Sequence, residues 1–159
     1  MEPKIIYKEA FTIIGIELKT TTSDGRNFLE IPQFWEKVIR EGLIDKIPDR
    51  KFEQTLLGIC MDFEPNGEFS YLIAAEVASA ERTPDGMVSR TIPTAKYAVF
   101  TARGKMPGSI QDAFKYIHQD WLPKSQYQRT DSADFELYDE RCNDSEDSEM
   151  DIYIPILPS

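Results

Sequence analysis

The sequence predicts an α+β fold built from two halves that share one order of elements: strand, helix, strand, strand. Three observations carry this. Apolar residues recur at helical spacing in two separate segments, strand-like runs flank each of them, and corresponding elements lie at nearly the same offset. The stripes begin at Ile31 and Ile110, 79 residues apart, and the last strands of the halves carry Tyr71 and Tyr153, 82 residues apart. The residues themselves are not alike between the halves. What repeats is element order, and a chance coincidence of order stays open. A chain of 159 residues suits one domain over 1–159, with module one at about 1–80 and module two at about 90–157.

The first strand run extends from Lys4 to Leu18 and ends before the turn residues Ser23-Asp24-Gly25. Ile31, Phe34, Trp35, Val38, Ile39 and Leu43 then fall on one face of a helix, with Pro32 tolerable in a first turn and Gly42 near the end. Strands are expected over Leu56 to Asp62 and Phe69 to Val77, separated by Pro65-Asn66-Gly67. After Pro84-Asp85-Gly86 comes the strand Ala95 to Ala102. The second helix carries the stripe Ile110, Ala113, Phe114, Ile117 and Trp121, with Ser109 as N-cap, Asp112 three residues on, and Pro123 as a stop. Asp134 to Asp139 and Asp151 to Ile156 complete the second half.

Charge narrows the partners. With 18 Lys and Arg against 28 Asp and Glu, the net charge of −10 repels phosphate backbones and anionic lipid. Direct nucleic-acid binding is disfavoured, and cations or neutral organic compounds are favoured as ligands. No apolar run approaches membrane-spanning length and no cleavable hydrophobic region leads the chain, so no membrane partner and a cytoplasmic location are expected. Cys60 and Cys142 read as a reduced pair in a chain large enough to fold without staples.

Several features look chemical and read more simply as structural. His118 borders the second stripe and shows no triad pattern, so it reads as a helix-surface residue. The run from Asp139 to Asp151 holds seven acidic residues without the glycine or spacing of a calcium loop, and reads as a solvated hairpin. Met61, Met87 and Met106 are scattered. With no phosphate loop, dinucleotide fingerprint, zinc motif or nucleophile elbow, no cofactor and no metal are expected.

Four segments, taken in order, carry a family resemblance. They are Thr91-Ile92-Pro93-Thr94-Ala95-Lys96-Tyr97-Ala98-Val99-Phe100, Trp121-Leu122-Pro123-Lys124-Ser125, Phe135-Glu136-Leu137-Tyr138 and Ile152-Tyr153-Ile154-Pro155-Ile156. Together they resemble the GyrI-like small-molecule-binding family, also known as the AraC-type effector-binding domain; the match is close over the C-terminal half and looser before it. The resemblance implies two strand-helix-strand-strand modules about a pseudo-twofold axis, forming one curved antiparallel sheet with both helices on one face and a ligand cleft between the modules. Family members are often fused to a DNA-binding helix-turn-helix. This chain begins with the effector module, so a stand-alone protein is expected, with a separate regulatory partner if it acts as a sensor.

The resemblance also changes how single residues read. By alternation alone, Glu136 shares a strand face with Tyr138 opposite Phe135 and Leu137, which makes it solvent-exposed, since carboxylates are seldom buried unpaired. In the family the acid at this place points into an aromatic pocket. There its pKa should rise through desolvation, and a bound organic cation should restore the charged form. Trp35 and Trp121 stand one per module and read as core filling from their stripes; the resemblance places Trp121, in its Trp-Leu-Pro, at the cleft, and Trp35 faces it from the other module. Tyr71, Tyr97, Tyr116 and Tyr138 are further candidates. Tyr138 shares the Glu136 face, Tyr116 falls off its stripe towards solvent, and Tyr71 suits a core-facing strand equally well. Glu76 is either an exposed edge residue or the counterpart of Glu136 in module one.

Two functions follow from the resemblance, and a third from the family name. The leading one is a sensor or sequestering protein for lipophilic, planar or cationic compounds, with Trp35, Trp121, Tyr71 and Tyr138 supplying aromatic contact and Glu136 the charge. The alternative is a hydrolase of cyclopropane-bearing DNA-alkylating compounds, with Glu136 as general base and Tyr71 or Tyr138 stabilising the developing oxyanion. The third is a protein that restrains DNA gyrase.

Overall fold

The computed structural model describes residues 2–106, 108–143 and 145–157. Its first departure from the sequence reading is at the N-terminus, where the run from Lys4 to Leu18 is not one strand. It breaks at Glu9-Ala10 into β1 (Lys4–Lys8) and β2 (Phe11–Thr21). Helix α1 (Arg26–Arg40) follows, then β3 (Leu56–Met61), β4 (Glu68–Glu76), β5 (Val88–Ile92) and β6 (Ala95–Arg103). Helix α2 (Gly108–Tyr116) continues through a π-helical turn at Ile117–Trp121 into a last turn at Leu122–Lys124. A two-residue strand β7 (Gln128–Arg129), β8 (Asp134–Tyr138) and β9 (Glu149–Leu157) close the chain.

Among the described residues nine strands join one antiparallel sheet in the order β1-β6-β9-β8-β3-β4-β2-β5, with β7 paired to β9. The order is symmetric about its centre. Module two contributes β6-β9-β8 and module one contributes β3-β4-β2, so β3 and β8 form the seam. The outermost strands are exchanged: β1 precedes β2 but pairs with β6, and β5 precedes β6 but pairs with β2.

That exchange forces curvature. β1 and β2 stand six strand spacings apart, roughly 30 Å along a flat sheet, yet the link between Lys8 and Phe11 reaches only about 10 Å. The sheet must therefore curl until its ends approach. The two equivalent links do meet, as the backbone N–H of Ala10 donates to Thr94 Oγ1 at 3.0 Å. On the inner face of the curl, Phe11, Ile13, Leu57, Ile59, Leu72, Ile92, Tyr97 and Phe135 from both modules make one continuous core.

The outer face carries the helices. Cross-strand partners Ile73, Gly58, Glu136, Ile152 and Phe100 form a row across the sheet, and directly paired residues share a face. Helix α1 packs near the Ile73 end, where Val38 meets Tyr71 and Ile73, and α2 packs at the Phe100 end through Ala113 and Ile117. Both helices thus lie on one side, with the seam between them.

Two helix details correct the sequence reading. Pro32 lies inside α1 rather than in its first turn, because the helix begins at Arg26. Ser109 is the second residue of α2 and not its cap; it is buried, and its hydroxyl reaches Met106 Sδ at 3.3 Å. Among the described residues no helix is long and apolar enough to cross a membrane.

Candidate functional site

Strand β8 alternates as the sequence indicates, but the face it gives to Glu136 is covered. Trp35 of helix α1 reaches over to Tyr71 and Tyr138 beside Glu136, which is 9% exposed in mid-sheet. Its Oε1 accepts hydrogen bonds from the hydroxyls of Tyr71 on β4, at 2.9 Å, and Tyr138 two residues along its own strand, at 3.0 Å. Trp35 joins them from α1: its indole N–H donates to Tyr71 Oη at 2.8 Å, and its ring stands edge-on to Tyr138 at 5.2 Å and 76°. One carboxylate, two phenols and one indole therefore form a continuous network drawn from both modules.

The electrostatics follow from burial. Desolvation lifts Glu136 from the ordinary 4.5 to about 7, against the two phenol hydrogen bonds that favour the charged form, while nearby Asp134 adds a further push upwards. None of these influences comes from a cation. The tyrosine hydroxyls are pushed well above their ordinary range, first by burial and then by the Glu136 charge, so they act as hydrogen-bond donors throughout the accessible pH range. Beside them, burial and the charges of Asp134 and Glu136 hold the Cys60 thiol protonated. Asp134 is also raised by burial, although it is paired with Arg129.

Gly58 is the residue that sequence reasoning passed over. It faces Glu136 across the β3–β8 seam, and a methyl group there would sit 2.3 Å from Tyr71 Oη and 2.6 Å from Glu136 Oε1. Only the absence of a side chain lets the phenol cross β3 to reach the carboxylate. The available signal was a glycine inside the apolar run Leu57-Gly58-Ile59, which marks a close approach.

Other candidates fall elsewhere. Trp121 packs edge-on against Phe100 at 5.0 Å and stacks on Tyr127 at 6.0 Å, on the α2 side of the seam. Tyr97 is buried on the inner face, its pKa pushed up to about 12 by desolvation. Tyr116 is half-buried against the α2 core and not solvent-facing as its position off the stripe suggested. Glu76 pairs with Lys51 at 3.3 Å and Lys8 at 3.7 Å; the position opposite Glu136 in module one belongs to Gly58, so Glu76 is not its counterpart. His118 is exposed on its helix, its Nδ1 2.9 Å from the Phe114 carbonyl oxygen. Both cysteines are free.

One curved antiparallel sheet with two helices on a single face is the GyrI-like effector-binding architecture. The chain belongs to the family described as integron-associated effector binding protein, whose pattern matches residues 4–156. It is similar to the transcriptional regulator BrlR of Pseudomonas aeruginosa, with 35% identity over 98% of this chain and 56% of that protein, so it spans about half the length of that relative. Among solved structures, SAV2435 bound to tetraphenylphosphonium superposes with a TM-score of 0.84 at 25% identity, over 99% of this chain and 95% of that one. The integron cassette protein VCH_CASS2 of Vibrio cholerae shares the fold, with a TM-score of 0.73 at 21% identity over 98% and 95% of the two chains.

Proposed function

We propose that this chain binds lipophilic organic cations at the seam between its modules, with Glu136 as the charge partner and Trp35, Tyr71, Tyr138 and, from the α2 side, Trp121 as aromatic walls. The observation that carries this reading is a buried carboxylate lifted to about 7, whose hydrogen-bond and charge partners are Tyr71, Tyr138 and Asp134, none of them a cation. Such a group is held at a free-energy cost that a cationic ligand relieves on arrival. SAV2435, with the same fold, holds tetraphenylphosphonium, a cation of this class.

Trp35 stands where such a ligand would enter. Its indole lies against Tyr138 and ties up Tyr71, so uptake requires it to move aside. Helix α1 is weakened for this, since Pro32 removes one backbone hydrogen bond three residues before Trp35. The displaced indole can then stack on the ligand. With a net charge of −10, any regulatory output passes through another protein or segment rather than through direct DNA contact.

Titration with tetraphenylphosphonium and a neutral compound of similar shape, followed by tryptophan fluorescence, tests the assignment. The cation should bind at least about tenfold better than the neutral compound, and Glu136→Gln should remove that preference. Equal binding of both by the unaltered protein would overturn the reading. Turnover of a cyclopropane-bearing alkylator that disappears in Glu136→Gln would instead make the carboxylate a general base.

A further inference from the structure

We infer that the inner face of the sheet carries a second ligand site, back to back with the first, for compounds that join a compact ammonium group to one aromatic ring. The site is a cavity of about 360 Å³ at one mouth of the curl, where Leu57, Phe135 and Leu137 face away from the helices. Its volume lies near the lower limit for small-molecule pockets, which suits a single ring and a short chain. Phe135 stacks on Tyr153 at 4.4 Å and 15°, and Phe11 stands edge-on to Phe135 at 5.7 Å, so the floor is a set of aromatic rings. Phe52, 54% exposed, stands at the rim.

The chain itself displays the recognition chemistry. The Lys8 ammonium lies 4.5 Å from the centroid of the Phe11 ring and 3.7 Å from Glu76, so it occupies a cation position defined by a ring face and a carboxylate. Lys8 is one-third exposed and its pairing is long, and ion pairs of that kind are weak. A ligand that brings both an ammonium and a ring can therefore exchange for it, adding an aromatic ring where Lys8 brings only its ammonium. Glu76 is the carboxylate that would receive it, through the Oε1 that Lys8 occupies, while Lys51 keeps its contact with Oε2 at 3.3 Å. Asp139 and Asp151, on the same rim, are held by Arg141 at 2.9 and 2.8 Å. Glu136 and Phe135 are consecutive residues of β8 on opposite faces, so this site and the Glu136 site share strands but no lining side chain.

The test uses 2-phenylethylammonium as the probe and 2-phenylethanol as its neutral control, read by methyl NMR at Leu57 and Leu137 in the Glu136→Gln protein. The amine should shift these methyls and the alcohol should not. Lys8→Met, which keeps the stem and vacates the ammonium position, should tighten the amine by about tenfold, and adding Glu76→Gln should reverse the gain. Unshifted Leu57 and Leu137 methyls, equal effects of amine and alcohol, or unchanged affinity in Lys8→Met would each overturn the inference. None of these results bears on Glu136, because that site is reported separately by Trp35 fluorescence in the protein that retains the carboxylate.

Discussion

The two modules have the same strand order and meet symmetrically at β3 and β8, yet the residues they place face to face at the centre could hardly differ more. Module two supplies Glu136 and module one supplies Gly58. The scaffold is duplicated and the polar network at its centre is not. Module two holds the charge with Tyr138 at its side, whereas module one leaves a gap at Gly58 and sends Tyr71 and Trp35 over it from β4 and α1. A symmetric pair of carboxylates would repel across the seam, and a symmetric pair of glycines would leave an uncharged gap. One acid opposite one glycine makes room for a buried charge and for its donors.

Filling the gap should do the most harm. Gly58→Ala places a methyl against Tyr71 Oη and Glu136 Oε1, and overpacking of this kind costs about 1–3 kcal/mol of stability. Cation affinity should fall with it, because the phenol must withdraw. Thermal unfolding and phosphonium titration of this variant check both effects; an unchanged protein would mean that the close approach across β3 is not needed.

Removing the donor that crosses the seam is a milder break. Tyr71→Phe takes one hydrogen bond from Glu136 and leaves the Trp35 indole N–H without its acceptor, at about 1–2 kcal/mol. With one fewer donor to its charged form, Glu136 should titrate above about 7, in a direction measurable by carboxyl NMR.

The aromatic walls sharpen the comparison further. Trp35→Ala and Trp121→Ala should each weaken a planar cation by roughly 1–3 kcal/mol if both modules contribute stacking. Because Trp121 packs on Phe100 and Tyr127, loss of stability with unchanged affinity in Trp121→Ala would assign it to the α2 core alone.

Stability should carry the same signature. A carboxyl at about 7 in the folded chain and near 4.5 when unfolded favours folding at low pH. As pH rises from about 4.5 to about 7 the unfolded chain ionises first, and stability on the order of 3 kcal/mol is lost over that window. Comparing urea unfolding of the unaltered protein with Glu136→Gln at pH 5 and pH 8 isolates this contribution; the difference between the two proteins should change with pH.

Much of this arrangement is legible in the sequence, and the parts that are not share a cause. Helical stripes and alternating strands depend on neighbours a few residues away, so both helices and six of the strand runs stand out. The exchange of β1 and β5 depends on pairings between Ile5 and Ala98 or Ile14 and Ser89, residues far apart in the chain with no local mark. β5 itself, Val88-Ser89-Arg90-Thr91-Ile92, is too polar to read as a strand, and β7 is two residues long. Within the candidate network, the resemblance brought Glu136 into view, with Tyr138 on its strand face, and pointed also to Trp121, which packs on the α2 side. Trp35 entered as one of two tryptophans, one per module, and Tyr71 as a weaker candidate, whereas alternation alone placed Glu136 in solvent. Nothing local linked Gly58 to Tyr71, or Asp134 to Cys60 and Arg129, because those contacts exist only once β3, β4 and β8 are side by side. Tyr71 was ambiguous between core and pocket, and its ring packs in the core while its hydroxyl donates to Glu136.

The central claim, that the buried carboxylate is the cation receptor, is tested most directly by the pH dependence of affinity for a permanently charged phosphonium. A cation that binds the ionised form must first drive a proton from a group poised at about 7. Affinity should therefore rise by nearly tenfold per pH unit up to about pH 7 and level off above it. Glu136→Gln should bind more weakly above pH 7, by about tenfold or more, and show no such rise. A flat profile in the unaltered protein, or the same rise in Glu136→Gln, would contradict the account.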